Sequence, residues 1–436
     1  MTTHPLRQQL VRRRGAVLLL VLYLACSAVG VGLVMHHYPY PSPIDEVVHF
    51  DYIHDFPHVP VNGETISPEG LDEWACRTMG PEYPLRVPDC GGPYVAKKFP
   101  GDGFSTAGST PPLYYGVTAV IARPVVKVTP WSLWDVSRAI GALWLTALMV
   151  VIHLLARRLG VPTATAAAAA VFTGLSPTVV ASAGTMGPDT ATAVTSGLAM
   201  IAALTYDGSR RRLLLLLGAV ALAAVTKFTA FAAVGAVIVY LVVRPLLARD
   251  PEQRRLRPGL LAAAGCLAVF GVISFVWGLR FQRSGLVDPD TIPINVLLHA
   301  DKVDWGAIWE QMLYTFFSPG TGNWQPGFLA DGTNSFVVTV TSGVFAAGVL
   351  VAALALRNRP RVSALGLGLL VMVLVSPFLL VALNFYANHL YFQLSPRYGY
   401  ALLPGIAAVT AWAFRAPAHG RALLLLAALS IVNLLT

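Results

Sequence analysis

Long apolar runs alternate with short arginine clusters, and this alternation constrains the chain more than any single motif. A run of about twenty apolar residues with almost no charge matches the thickness of a bilayer, where a helix satisfies its own backbone. Between the runs stand Arg7 and Arg12 to Arg14, Arg157-Arg158, Arg210 to Arg212, the 244–258 segment, Arg357 to Arg361, and Arg415 to Arg421. Composition agrees: the 436 residues are 55% hydrophobic and 12% charged, with mean hydropathy +0.62, outside the range of soluble domains. The net charge of +9 does not imply a nucleic-acid partner. The bases lie in clusters between spans, which is the positive-inside pattern of a membrane protein.

Apolar runs predict helices at 15–35, 137–156, 163–182, 189–206, 212–226, 228–243, 259–280, 336–356, 362–383, 398–414 and 421–436. The first is too long for a signal-peptide core and lacks a cleavage site, so it reads as a retained anchor. The arginine-rich side holds only Asp207, Asp250 and Glu252 among the acids. This asymmetry orients the chain with its N-terminus in the cytoplasm and its C-terminus outside. The expected fold is an all-α polytopic bundle of about eleven transmembrane helices, one domain over 1–436, in the plasma membrane. Leu213 to Val243 is apolar except for Lys227. As one helix it would be about 46 Å long, too long for the bilayer core, so two short helices turning near Lys227 are expected. Two outer loops follow, at 36–136 and 281–335. Leu113 to Val128 is apolar but carries Arg123 and Lys127, which fits a helix lying at the membrane surface.

The first outer loop concentrates proton-handling groups. Asp45 and Glu46 are adjacent, and His49, Asp51, Tyr52, His54, Asp55 and His58 follow. Ser42-Pro43-Ile44-Asp45 matches a capping box, with Ser42 as N-cap and Pro43 as the first helical residue. Such a helix would place Asp45, His49 and Tyr52 on one face at i, i+4 and i+7. A carboxylate pair suits a general base or a divalent-cation site; the Asp45-Glu46 to His49 spacing is not that of a zinc motif. Cys76 and Cys90 share the loop. They can form a disulfide in an oxidising compartment or remain free thiols, and sequence leaves both open.

Pro43-Ile44-Asp45-Glu46-Val47-Val48-His49, followed by Ser109-Thr110-Pro111-Pro112-Leu113-Tyr114-Tyr115, resembles the GT-C superfamily of membrane glycosyltransferases. The likeness is to a group of predicted bacterial membrane proteins within it. Ser137-Arg138, Ser176-Pro177, Gly187-Pro188-Asp189, Thr226-Lys227-Phe228-Thr229 and Ser395-Pro396-Arg397-Tyr398 extend it over nearly the whole chain. The match loosens between Tyr314 and Trp324. The resemblance implies transfer of a sugar from a polyprenyl-phosphate or pyrophosphate donor at the outer membrane face, with inversion. A cell-envelope glycan or glycolipid would be the acceptor. It makes Asp45 the base that activates the acceptor hydroxyl. Glu46 would assist, through a hydrogen bond or a shared magnesium, manganese or calcium ion. His49, Tyr52 and Asp189 would line the site.

A departing lipid phosphate gains negative charge, so nearby cations stabilise its release. Lys227, Arg397 and Arg138 are the candidates at the outer ends of spans. Each has a structural alternative: Lys227 as a snorkelling residue, Arg397 as an interfacial anchor beside Tyr398. Asp189 has a helix cap as its alternative, and Trp305, Trp309 and Trp324 are either an acceptor platform or an interfacial belt. A membrane transporter or flippase for a lipid-linked precursor is the rival class. It would be expected to carry ionisable groups in broken helices at mid-membrane. No phosphate-cradling glycine loop or Gly-x-Ser-x-Gly nucleophile occurs.

Overall fold

The computed structural model describes residues 5–42, 45–77, 87–249, 254–283, 285, 298–315, 334–356, 359–391 and 394–435. The described chain is helical. In order the helices are α1 (Pro5–His37), α2 (Glu46–Asp55), α3 (Pro68–Arg77), α4 (Leu113–Val128), α5 (Leu133–Arg158), α6 (Thr163–Gly174), α7 (Pro177–Gly184) and α8 (Asp189–Leu204). They continue with α9 (Arg210–Ala224), α10 (Phe231–Leu247), α11 (Leu256–Arg283), α12 (Trp305–Thr315), α13 (Asn334–Leu354), α14 (Pro360–Asn388), α15 (Leu403–Ala413) and α16 (Pro417–Leu435).

Among the described residues five helices are long and apolar enough to cross a membrane, or six if the bent pair α6–α7 is one span. Asp189–Leu204, Thr339–Leu354, Leu403–Ala413 and Ala418–Leu429 are apolar but shorter. The expected continuous helix over 163–182 is instead broken by 64° between Gly174 and Pro177. Pro177 lacks the N–H that would continue the ladder, so it starts a new helix. The chain does turn at 225–227, between α9 and a short 3-10 segment at Phe228–Ala230.

Helix α5 is central: it packs against α1, α4, α6, α7, α8 and α15. Its approach to α7 requires a glycine, since a Cβ on Gly141 would lie 1.7 Å from the Ala183 carbonyl oxygen. Small residues at such crossings let helix backbones touch where no hydrophobic effect drives association. The ends of the bundle differ in charge. Arg244 donates to the Tyr206 carbonyl, and the Tyr206 hydroxyl to the Pro258 carbonyl, so the ends of α8 and α10 and the start of α11 meet at one end. At the other end the first loop forms its own core around Phe50, Tyr52, Ile53, Trp74, Tyr115 and Trp134. Helices α4 and α2 pack together there. Cys76 and Cys90, left open by the sequence, form a disulfide that ties the loop back onto α3.

Candidate active site

Helix α2 starts at Glu46, later than the capping-box reading placed it; Pro43 and Ile44 lie outside the described residues. Asp45 is its N-cap, in a left-handed conformation (φ 56°, ψ 6°), and its side chain makes no capping bond. Such a conformation costs a non-glycine residue roughly 1–2 kcal/mol, and strain of this kind collects at functional sites. Released from capping, the half-exposed carboxylate meets Arg397, whose Nη2 donates to Oδ2 at 3.1 Å. Partial burial pushes the Asp45 carboxyl up, but Arg397, His49 and Lys227 outweigh it and hold it below its ordinary value.

Glu46 faces the other way. It accepts from Arg138 Nε at 2.7 Å and Nη2 at 2.6 Å, from the Ser42 N–H at 2.6 Å and from the Met186 N–H at 2.9 Å. Arg138 also donates to the carbonyls of Tyr38 and Tyr40, both at 2.7 Å, and lies against the Trp134 ring. The pair is 2% and 0% exposed. Arg138, expected at the donor phosphate, is thus engaged by the chain itself, fastening the end of α1 to α2 and α5. The expected cation site at Asp45 and Glu46 does not fit either. Both Glu46 oxygens already accept from N–H donors, and Asp45 faces a guanidinium. Among the described residues no three His, Cys, Asp or Glu side chains gather to hold a metal ion.

Asp189 is the first residue of α8, one past the N-cap Pro188. Its Oδ1 accepts from Lys227 Nζ at 2.5 Å, and the pair is 6% and 14% exposed. Burial draws the lysine down from its ordinary value, with Asp189 working in the opposite direction. His49, one turn along α2 from Asp45, is buried with its Nδ1 2.8 Å from the Tyr115 hydroxyl. Burial lowers its pKa to about 4, so the ring is neutral near pH 7. Tyr52, expected beside His49 in the site, lies one layer behind, stacked on Tyr115 at 3.9 Å.

The structure therefore brings together Asp45, His49, Asp189, Lys227 and Arg397, from the first loop, the start of α8, the 225–227 turn and the 3-10 segment Pro396–Gly399. Glu46 and Arg138 stand beside them as a closed clamp. Sequence reasoning missed Tyr115 and Tyr114 as site elements. The first bonds His49, and the second accepts the Gly187 N–H at 3.1 Å. Their signal was the paired tyrosine in the first turn of the helix Leu113–Val128. Trp305 and Trp309 pack on Phe378 of α14 and remain partly exposed. Trp324 and the rest of 316–333 lie outside the described residues.

The sequence matches no described protein family and no curated protein. Among solved structures, ArnT from Cupriavidus metallidurans in the apo state aligns at 17% identity and TM-score 0.46, covering 93% of this chain and 60% of that one. The same protein bound to undecaprenyl phosphate gives 16% and 0.45 over 92% and 60%. The Archaeoglobus fulgidus oligosaccharyltransferase in the apo form gives 14% and 0.47 over 91% and 50%. The chain thus spans between half and three fifths of the structures it resembles.

Proposed function

We propose that this chain is a membrane glycosyltransferase that moves a sugar from a polyprenyl-phosphate donor to a cell-envelope glycan or glycolipid. One observation carries the reading: Asp45, strained and free of any capping bond, meets Arg397 at the end of an apolar bundle. The Arg397 Nε is buried with no hydrogen-bond partner. An unmet buried donor costs about 1–3 kcal/mol, and a phosphate oxygen would satisfy it. Lys227 supplies a second cation.

In this mechanism the donor phosphate draws Arg397 from Asp45, and the freed carboxylate accepts the proton of the acceptor hydroxyl. That oxygen bonds to the anomeric carbon from the face opposite the phosphate. The carbon–phosphate-oxygen bond breaks, the lipid phosphate leaves with the electron pair, and the configuration inverts. Arg397 and Lys227 hold the charge that develops on the phosphate. Grouping of the ion pairs at the bundle end favours an enzyme over a transporter or flippase, which would need such groups at mid-membrane. The shorter helices completing about eleven spans, the cytoplasmic N-terminus and the outward-facing site belong to the same proposal.

The test is transfer by purified protein from decaprenyl phosphates carrying mannose, glucose or arabinose to envelope glycan fractions. Wild type should turn over at least one donor and Asp45→Asn about 10²- to 10⁴-fold more slowly. Equal turnover by both would remove Asp45 as the base. A single cysteine replacing Asp301 should react with an impermeant thiol reagent in intact cells; reaction only after lysis would place the site on the cytoplasmic side.

A further inference from the structure

In the loop between α7 and α8 there is room for a group the size of a methyl, which the mechanism above leaves unused. Its floor is Gly187. A methyl group there would stand 3.7 Å from Cδ2 and 3.9 Å from Nε2 of His49, and 3.8 Å from Oδ2 of Asp189. Two polar atoms therefore look onto the same gap. The floor is fixed, since the Gly187 N–H bonds to Tyr114 and the neighbouring Met186 N–H to Glu46.

The two atoms have opposite hydrogen-bonding character. Asp189 uses Oδ1 for Lys227, which leaves Oδ2 as an acceptor toward the gap. The fully buried Tyr115 phenol meets the Thr110 side chain and His49 Nδ1, the latter at 2.8 Å, and a Thr110 hydroxyl donating to the phenol leaves the phenol's own proton for Nδ1. With the phenol donating to Nδ1, the imidazole proton sits on Nε2, and His49 presents a neutral N–H. A donor and an acceptor around one gap suit a group that is both, and a hydroxyl is such a group. A phosphate oxygen accepts only and would be repelled by Asp189.

We propose that this gap is a hydroxyl subsite for the donor sugar, with His49 Nε2 donating to the hydroxyl and Asp189 Oδ2 accepting from it. The proposal rests on reading the chain as a lipid-phosphate sugar transferase. Lys227 bonds Asp189 directly, so a phosphate held by Lys227 brings the sugar attached to it up to this gap. His49 then reads the sugar, and Tyr115 is the positioning residue that sets its tautomer.

Gly187→Ala is the sharpest probe. The added methyl meets nothing closer than 3.7 Å, so it fits the folded chain while filling the gap. Affinities of detergent-purified wild type, Gly187→Ala, His49→Ala and His49→Gln would be measured for bare decaprenyl phosphate and for decaprenyl phosphates carrying mannose, glucose or arabinose. Unfolding midpoints would be measured alongside. Wild type should prefer at least one glycosylated lipid over the bare one. Gly187→Ala and His49→Ala should reduce that preference roughly 3- to 10-fold, the loss of one neutral hydrogen bond. His49→Gln, whose amide still offers an N–H, should keep most of it.

An unchanged preference in Gly187→Ala overturns the subsite. Equal loss in His49→Gln and His49→Ala overturns the donor role of His49. If wild type binds bare and glycosylated lipids alike, the subsite falls while the lipid-phosphate reading stands. If wild type binds none of these lipids, that reading falls and the subsite with it.

Discussion

Glu46 meets Arg138 and Asp45 meets Arg397: two carboxylate–guanidinium pairs on neighbouring residues, in different surroundings. The Glu46 pair is bidentate, nearly inaccessible, and completed by two backbone N–H groups and two carbonyls. The Asp45 pair rests on one hydrogen bond, is 39% and 13% exposed, and leaves the Arg397 Nε unmet. A pair whose hydrogen-bonding valences are filled from within the chain serves to hold the fold. A pair with an open side and a strained backbone is poised to exchange partners. Adjacent acids thus separate into structure and chemistry according to what surrounds them.

The largest expected effect breaks the open pair. Asp45→Asn should lower sugar transfer by about 10²- to 10⁴-fold, the usual contribution of a general base, with an unchanged unfolding midpoint in detergent. A variant that instead unfolds early would make the two pairs alike. Glu46→Ala should do the reverse. It strands Arg138 in the interior, and breaking a buried pair from one side costs about 3–5 kcal/mol. Thermal unfolding should shift sharply downward; a normal midpoint with lost turnover would return Glu46 to the reaction.

Next in size is Arg397→Lys, which keeps charge but loses the planar fork that grips phosphate. Loss of a charge-assisted contact of about 1.5–3 kcal/mol corresponds to roughly a 10- to 150-fold fall in kcat/KM for the lipid donor, with stability retained. Lys227→Ala should weaken donor use in the same way, though it also strands Asp189. Unchanged donor dependence in both would remove the phosphate from this cleft.

The smallest expected effect is a near-cancellation within α2. His49 holds its proton only below about 4 in the fold but near 6.5 when unfolded, so its contribution to stability is present above pH 6.5 and lost as pH falls toward 4. Asp51 runs the other way: burial raises its carboxyl to about 6 against the hydrogen bonds from Ser67. Its contribution is present below its unfolded value of 3.8 and lost as pH rises through about 6. The two slopes oppose each other across this window. Asp51→Asn should expose the His49 slope, a loss of about 3 kcal/mol on acidification relative to wild type. Unfolding midpoints of both proteins from pH 6.5 to pH 4 would check it; parallel curves would show that Asp51 carries no such shift.

Much of the helical layout was legible from residue pattern. The end of the apolar character within the helix Leu113–Val128 was marked by Arg123 and Lys127, and the turn near Lys227 by a single charge in an overlong run. The kink before Pro177 was less legible, because apolar content continues across it. The start of α2 was misplaced because Ser42 and Pro43 carry a genuine capping pattern. The structure instead uses Glu46 to reach back to the Ser42 N–H, which leaves Asp45 free.

By itself the sequence determined that the chain forms apolar helices with arginine-rich connections, and that its acids crowd the first long loop. Those properties are local: hydropathy, helix length and charge act over one turn or one span. Only the tertiary structure decided which acid meets which base. Arg138 and Arg397 lie 92 and 352 residues from their partners, and both were candidate phosphate ligands in the sequence. Packing of α5 against the end of α1 buries one arginine among carbonyls, while the turn before α15 brings the other to an open carboxylate. Burial and partner count, which separate a clamp from a site, are properties of the assembled bundle and of no single segment.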